Sequence, residues 1–239
     1  MEERLQKILS RAGFGSRRVC EELIKAKRVI INDRVAHIGI KADEDKDKIS
    51  VDGVRLKLKR LQKIYIAFNK PRGVLSEIYP GKKDKTIRDF IDLPEYLFIV
   101  GRLDKNSEGL LLLTNDGDMA NKLTHPRFEH EKEYKVLVGK KPDDKQLAAW
   151  RHGVVLPDGQ VTYPAVIQIN KSDIEGTWLT IIMHEGRKRQ IREVGALLGL
   201  PVKNIIRIRI STINLGELPT GQWRKLNKDE IEKLKSSVI

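Results

Sequence analysis

Apolar positions at the start of the chain fall at helical spacing and then give way to short alternating runs. Leu5, Ile8, Leu9 and Ala12 share one face, which predicts a helix. Gly13 and Gly15 break it, and Ser16 is placed to cap a second helix carrying Val19, Leu23 and Ile24. Residues 29–31 and 35–37 flank Asn32-Asp33, and residues 49–51 and 54–56 flank Asp52-Gly53, the stronger of two hairpin patterns. The first 60 residues therefore read as a small module of helix–turn–helix and short strands.

A basic stretch, 57–63 (KLKRLQK), reads as a linker, and beyond it strands alternate with helices. Strands are expected at 64–68, 98–100, 110–114, 134–138, 178–183 and 205–210. A hairpin is expected from 154–156 and 161–166 around Pro157-Asp158-Gly159. Helices are expected at 118–123, 143–150, 187–198 (ended by Gly199 and Pro201) and 229–235 (capped by Asn227). The pattern is α+β, with a mixed or largely antiparallel sheet in a second domain over 61–239. No internal repeat or low-complexity tract interrupts it.

Charge sharpens the division. The 239 residues hold 46 Lys+Arg against 33 Asp+Glu, a net charge of +13. Residues 1–63 alone carry a net +7, so the first module reads as an electrostatic unit. Arg4, Lys7, Arg11, Arg17 and Arg18 gather on its two helices and their loop; the competing reading is an ordinary solvated face. Such a balance suits a polyanion, either nucleic acid or an anionic membrane surface. With 5% aromatic residues, rows of stacking rings for a single strand are not expected.

Several chemistries lack their signs. No apolar run approaches a membrane span, and MEERLQKILS lacks the apolar core of a secretory signal, so a cytoplasmic protein without a membrane role is expected. Cys20 stands alone, and His37, His125, His130, His152 and His184 are scattered without metal-ligand spacing. Phosphate-binding and dinucleotide-binding glycine loops are missing. The expectation is a reaction without metal or cofactor.

Residues 100–117, VGRLDKNSEGLLLLTNDG, carry the most unusual pattern. An apolar strand ends in Gly101-Arg102-Leu103-Asp104, a polar loop follows, and a second apolar run begins. An acid and a cation thus stand two residues apart where a rigid element meets a loop, a common place for functional groups. The residues alone leave open that Asp104 only starts a turn.

This run resembles the central motif of the bacterial ribosomal RNA pseudouridine synthases of the RsuA/RluB type. FNKPRG at 68–73, KEYKV at 132–136, EGRKRQIR at 185–192 and LGELPTGQWRKL at 215–226 resemble further family segments in the expected order. The first 60 residues are similar to the alpha-L RNA-binding module named after a small-subunit ribosomal protein. The resemblance implies that Asp104 initiates isomerisation of uridine and that Arg102 holds the space left by a flipped base. It implies that Tyr134 packs on the target base and that Arg192 pairs with the catalytic carboxylate. Ser107 stands where many members have Thr, and Glu193 where a second basic residue is common. A monomer acting on ribosomal RNA or a pre-ribosomal particle is implied, with the overall look closer to the large-subunit type.

Two other readings compete. A non-catalytic RNA-binding or ribosome-assembly protein with a degenerate synthase fold should have lost one of Asp104, Tyr134 and Arg192, and all three are present. An RNA methyltransferase with the same N-terminal module would want a glycine-rich cofactor loop where residues 68–73 hold a proline and one glycine.

Overall fold

The computed structural model describes residues 2–56, 62–77, 84–94 and 96–237. The chain forms two compact units, Met1–Ile64 with Leu93–Phe98 and Asn115–Gly117, and a larger one of Tyr65–Asp92, Ile99–Thr114 and Asp118–Ile239. Residues 57–61 of the expected linker lie outside the described residues.

The first unit runs β1 (Glu3–Arg4), α1 (Leu5–Arg11), α2 (Arg17–Lys25), β2 (Val29–Ile31), β3 (Arg34–Val35), β4 (Lys41–Ala42), β5 (Ile49–Val51) and β6 (Val54–Arg55). Strands β3-β2-β5-β6 form one antiparallel sheet, and β1 pairs with β4. Both hairpin turns form as their residues predict, with positive φ at Asn32 and Asp33 and at Asp52 and Gly53, the conformation of tight primed turns. Leu5, Ile8 and Leu9 of α1 pack with Cys20, Ile24, Val29, Ile49 and Val51. Ser16 caps α2 by accepting from the Val19 N–H at 3.3 Å. Val19 itself is surface-exposed and Leu23 only partly buried, against expectation. The inward stripe of α2 runs through Cys20 and Ile24, about 100° further round the helix.

The larger unit carries β7 (Tyr65–Lys70), β8 (Phe98–Val100), β9 (Glu108–Thr114), α3 (Gly117–Thr124), β10 (Lys132–Val138), α4 (Asp144–His152), β11 (Val166–Asp173), β12 (Gly176–Met183), α5 (Gln190–Leu197), β13 (Val202–Ile210), β14 (Ile213–Asn214), β15 (Trp223–Lys225) and α6 (Lys228–Ser236). Its sheet is ordered β11-β12-β10-β13-β9-β7-β15, with β14 beside β13 and β8 beside β9. Within that order the β9–β13 pair is parallel, and the others are antiparallel. The sheet is mixed, as its pattern predicts. Asp143 and Asn227 close reciprocal capping boxes on α4 and α6 with Gln146 and Glu230.

Two expected elements are corrected. The hairpin over Pro157-Asp158-Gly159 reduces to one bridge between Val155 and Val161, and Val166 instead opens β11, which pairs with β12. Pro164 explains the break, because it has no N–H to give a ladder. The helix expected from residue 187 starts at Gln190, since Arg189 takes the left-handed conformation at φ 56°. Residues 186–189 are thereby freed as a loop.

Candidate active site

A cleft of about 490 Å³ opens in the larger unit, and Arg102, Asp104, Lys132, Tyr134 and Arg207 all line it. The loop carrying Asp104 is fastened on both sides of that residue. Leu103 is held by Ser76, whose hydroxyl donates to the Leu103 carbonyl at 2.7 Å and accepts from its N–H at 3.1 Å. The Lys105 carbonyl accepts from the Gly73 N–H at 2.8 Å and from Lys70 Nζ at 3.4 Å. Lys70 is fully buried, and its ammonium also donates to the carbonyls of Pro71 (2.9 Å) and Val74 (2.7 Å). The FNKPRG segment therefore serves as the floor under the acid.

Asp104 is half-buried, and its carboxylate makes no hydrogen bond or ion pair among the described residues. It is held by its backbone, and its oxygens are available to a substrate. Arg102, two residues earlier, is exposed at the cleft.

Tyr134 enters from β10. The register between β10 and β13 shifts between Glu133 and Tyr134, so that Glu133 faces Arg209 and Tyr134 faces Arg207, skipping Ile208. This bulge turns Tyr134 and Arg207 into neighbours, as bulges beside functional sites commonly do. Arg207 is fully buried. Its Nη2 donates to the Gly101 carbonyl at 2.7 Å and its Nε to the Leu110 carbonyl at 2.8 Å, and Tyr134 stands opposite it across the β10–β13 pair. Burial lowers the Arg207 pKa, and Tyr134 opposes that shift. The guanidinium thus ties Gly101, where the Asp104 loop begins, to Leu110 in β9, with Tyr134 opposite it.

Close backbone approach makes this clamp possible. At Gly109 (φ 99°) a Cβ would lie 2.3 Å from the Arg207 carbonyl oxygen and 2.7 Å from its nitrogen. Only glycine lets β9 run alongside β13 there.

Arg192 is placed differently from the expected direct pair with Asp104. Its Nη2 donates to the Asn106 carbonyl at 2.9 Å and its Nη1 to the Val202 carbonyl at 3.2 Å, and no Arg192–Asp104 ion pair occurs among the described residues. The carboxylate still acts on it: burial lowers the Arg192 pKa, Asp104 raises it, and Arg189 and Arg72 lower it. Arg192 therefore steadies the Asp104 loop through Asn106 and contributes positive field. Burial also brings Lys70 down to about 8, with Glu108 and Asp104 opposing and Arg207 adding. Burial and then Arg207 bring Lys132 to about 8, while its Nζ donates to the His130 carbonyl at 2.8 Å.

Sequence reasoning places Arg102, Asp104 and Tyr134 in one cleft with Arg192 beside them, but misses Lys70, Lys132, Ser76 and Arg207. An arginine within an isoleucine-rich strand was the available signal for Arg207. Chemically the cleft offers a carboxylate without a partner among the described residues, an aromatic ring, apolar walls from Met183 and Ile205, and a surrounding of cations. That set suits a planar base attached to an anionic backbone. No group of three or more His, Cys, Asp and Glu side chains is arranged to hold a metal among the described residues.

The five N-terminal cations do not act alike. Lys7 pairs with Glu3 at 3.2 Å, and Arg11 is held by Glu3 and Glu44. Arg4, Arg17 and Arg18 are exposed and make no ion pair among the described residues. Arg17 and Arg18 occupy the first turn of α2, which has no acidic residue. Cations there oppose the helix dipole, an arrangement that an incoming anion would relieve.

Known proteins resemble this chain along nearly its whole length. Residues 64–196 match the family model described as RNA pseudouridylate synthase, and residues 3–39 match the S4 domain. The chain is 42% identical to an "Uncharacterized RNA pseudouridine synthase" of Aquifex aeolicus (strain VF5), covering all of this chain and 96% of that one. It is 38% identical to "Ribosomal large subunit pseudouridine synthase B" of Bacillus subtilis (strain 168), over 98% of this chain and 96% of the relative. A solved structure, "Crystal structure of pseudouridylate synthase", superposes with a TM-score of 0.71 at 29% identity, covering 97% of this chain and 99% of that one. With the synthase model matched over 64–196, the S4 domain over 3–39 and relatives that align nearly end to end, the chain belongs to the RNA pseudouridylate synthase family and is an RNA pseudouridine synthase.

Proposed function

We propose that the protein converts a uridine of large-subunit ribosomal RNA to pseudouridine in the cytoplasm, as a step of ribosome maturation, with Asp104 starting the reaction. The observation that carries this reading is the Asp104 carboxylate, without a partner among the described residues and fixed by its backbone in the same cleft as Tyr134. The large-subunit target is supported by the name of the Bacillus subtilis relative, which matches nearly end to end.

The isomerisation breaks the bond between C1′ and N1 and makes one between C1′ and C5. C5 gives up a proton and N1 gains one, so atoms and charge balance without a donor. A carboxylate can begin such a reaction only if it is ionised and free to touch the nucleoside. Lys70 and Arg192 supply a positive field at Asp104 without occupying its oxygens. Tyr134, opposite Arg207, would offer a ring face to the base, while Met183 and Ile205 offer apolar walls. A base must first leave its stack, at a cost of a few kcal/mol. Arg102, exposed at the cleft, would fill the gap that it leaves.

The S4 domain supplies phosphate contacts that position the protein and carry little base information. Arg4, Arg17 and Arg18, exposed and without an ion pair among the described residues, are suited to that task. The test is chemical mapping of pseudouridines in ribosomal RNA from cells with and without this gene. Loss of one pseudouridine from large-subunit RNA is expected; an unchanged map, or a loss from small-subunit RNA, contradicts the assignment.

A further inference from the structure

Between α4 and β11 the chain exposes an apolar strip beside the cleft. Val155 and Val161 face each other across a single antiparallel bridge and are 61% and 55% exposed. Tyr163, two residues on, is 50% exposed, while Thr162 between them is buried. The alternation puts Val155, Val161 and Tyr163 on one side.

The strip is rigidly mounted. The Thr162 N–H donates to the Val154 carbonyl at 3.0 Å, and the Thr162 hydroxyl accepts from the Val154 N–H at 3.0 Å. The Tyr163 N–H donates to Glu185 Oε1 at 2.7 Å. The same carboxylate accepts from Gln190 Nε2 at 2.6 Å and Arg187 Nε at 3.0 Å, and Arg187 Nη2 donates to the Val161 carbonyl at 3.1 Å. Through Glu185 and Arg187 the strip is thus tied to residues 186–189, whose Arg187, Lys188 and Arg189 line the cleft. Lys188 and Arg189 are exposed. The acids nearby are engaged: Glu185 is buried under its three donors, and Asp158 accepts from the Gln160 N–H at 3.0 Å.

An aromatic ring and two valines, tied through Glu185 and Arg187 to a loop that carries exposed Lys188 and Arg189, suit a strand with planar bases and a charged backbone. A protein partner would take the apolar strip but leave the rim unanswered. We propose that Val155, Val161 and Tyr163 are a docking strip for unpaired RNA flanking the target uridine, with Tyr163 stacking on one base and Lys188 and Arg189 meeting the adjoining phosphates. This rests on the reading that the cleft acts on a uridine within RNA, and it adds where the neighbouring nucleotides lie.

The test measures Kd and KM of full-length protein for a large-subunit ribosomal RNA fragment containing the mapped uridine. Each nucleotide flanking that uridine is replaced in turn by an abasic residue. Tyr163→Ala should weaken binding about tenfold, as loss of one base–aromatic stack does. Tyr163→Phe should restore it, and Ile174→Ala, a fully exposed apolar residue in the β11–β12 turn, should have no effect. One abasic position should weaken binding to wild type equally and abolish the further effect of Tyr163→Ala. Tyr163→Ala binding within twofold of wild type, or effects that simply add at every abasic position, would overturn the proposal. So would a Tyr163→Ala defect confined to binding of a ribosomal protein, with RNA affinity intact. A wild-type protein that shows the expected RNA-binding pattern yet forms no pseudouridine would reject the functional reading while leaving the strip in place.

Discussion

Arg207 Nη2 donates to the Gly101 carbonyl at 2.7 Å, from a guanidinium that is fully buried. Gly101 opens the loop that carries Arg102 and Asp104, and Leu110, the other carbonyl partner of Arg207, follows its end. A single side chain therefore sets the span of the loop and places Tyr134 against it.

Arg207→Met should accordingly take this partner from the buried Leu110 carbonyl and from the partly buried Gly101 carbonyl. The buried loss alone costs roughly 1–3 kcal/mol, so destabilisation of at least about 1–3 kcal/mol is expected. Arg207→Lys should recover only part, because an ammonium does not reproduce the planar fork. The urea midpoint of each variant, read beside pseudouridine formation per turnover, measures both effects. Wild-type stability and turnover in Arg207→Met would show that the clamp is dispensable.

Gly109→Ala addresses the same architecture from the facing strand. The added Cβ would collide with the Arg207 backbone, and the positive φ is strained besides. Gly159→Ala makes a fair comparison, since it shares the positive φ but meets open space. The expected outcome is a drop in Tm for Gly109→Ala several times that for Gly159→Ala. Equal drops would mean that β9 and β13 can move apart.

Lys132 gives a pH signature. Its pKa is about 8 in the folded protein, against 10.5 for a free lysine side chain. Between those values the unfolded chain keeps a proton that the folded chain has released, so stability rises with pH across that window. Below about 8 both states are charged, and the cost of burying the charge is present in full. The Tm of wild type should therefore gain on that of Lys132→Met from about pH 8 to about pH 10. Lys70 titrates in both proteins and cancels in the difference. A constant gap between the two curves is the contrary result.

Phosphate binding by the S4 domain predicts a salt effect. Replacing Arg17 and Arg18 together by Ala should lower the slope of log K against log salt by roughly one for every phosphate that is no longer neutralised. Titrations on one ribosomal RNA fragment at several salt concentrations would measure it. An unchanged slope would return both arginines to the status of a solvated surface.

Local chemistry makes much of this legible in the sequence. Asn32-Asp33 and Asp52-Gly53 turn where their residues say, Ser16, Asp143 and Asn227 cap helices, and Arg102, Asp104 and Tyr134 share a cleft. What stays hidden depends on pairing between distant strands. The bulge that sets Tyr134 opposite Arg207 is a register shift without a local signature. The partnering of β11 with β12 is obscured because the preceding Pro-Asp-Gly turn suggests a hairpin of its own. Arg192 can be placed near Asp104 by motif, but its bond to the Asn106 carbonyl requires the folded loop.

The most direct measurement is pseudouridine formation by Asp104→Asn on a ribosomal RNA fragment that wild type modifies, with Kd for the same fragment measured alongside. The substitution keeps the shape of a half-buried side chain that has no partner among the described residues to lose. Undetectable product with affinity within a few-fold of wild type is expected. Product formed by Asp104→Asn at a rate near that of wild type would contradict the role given to this carboxylate.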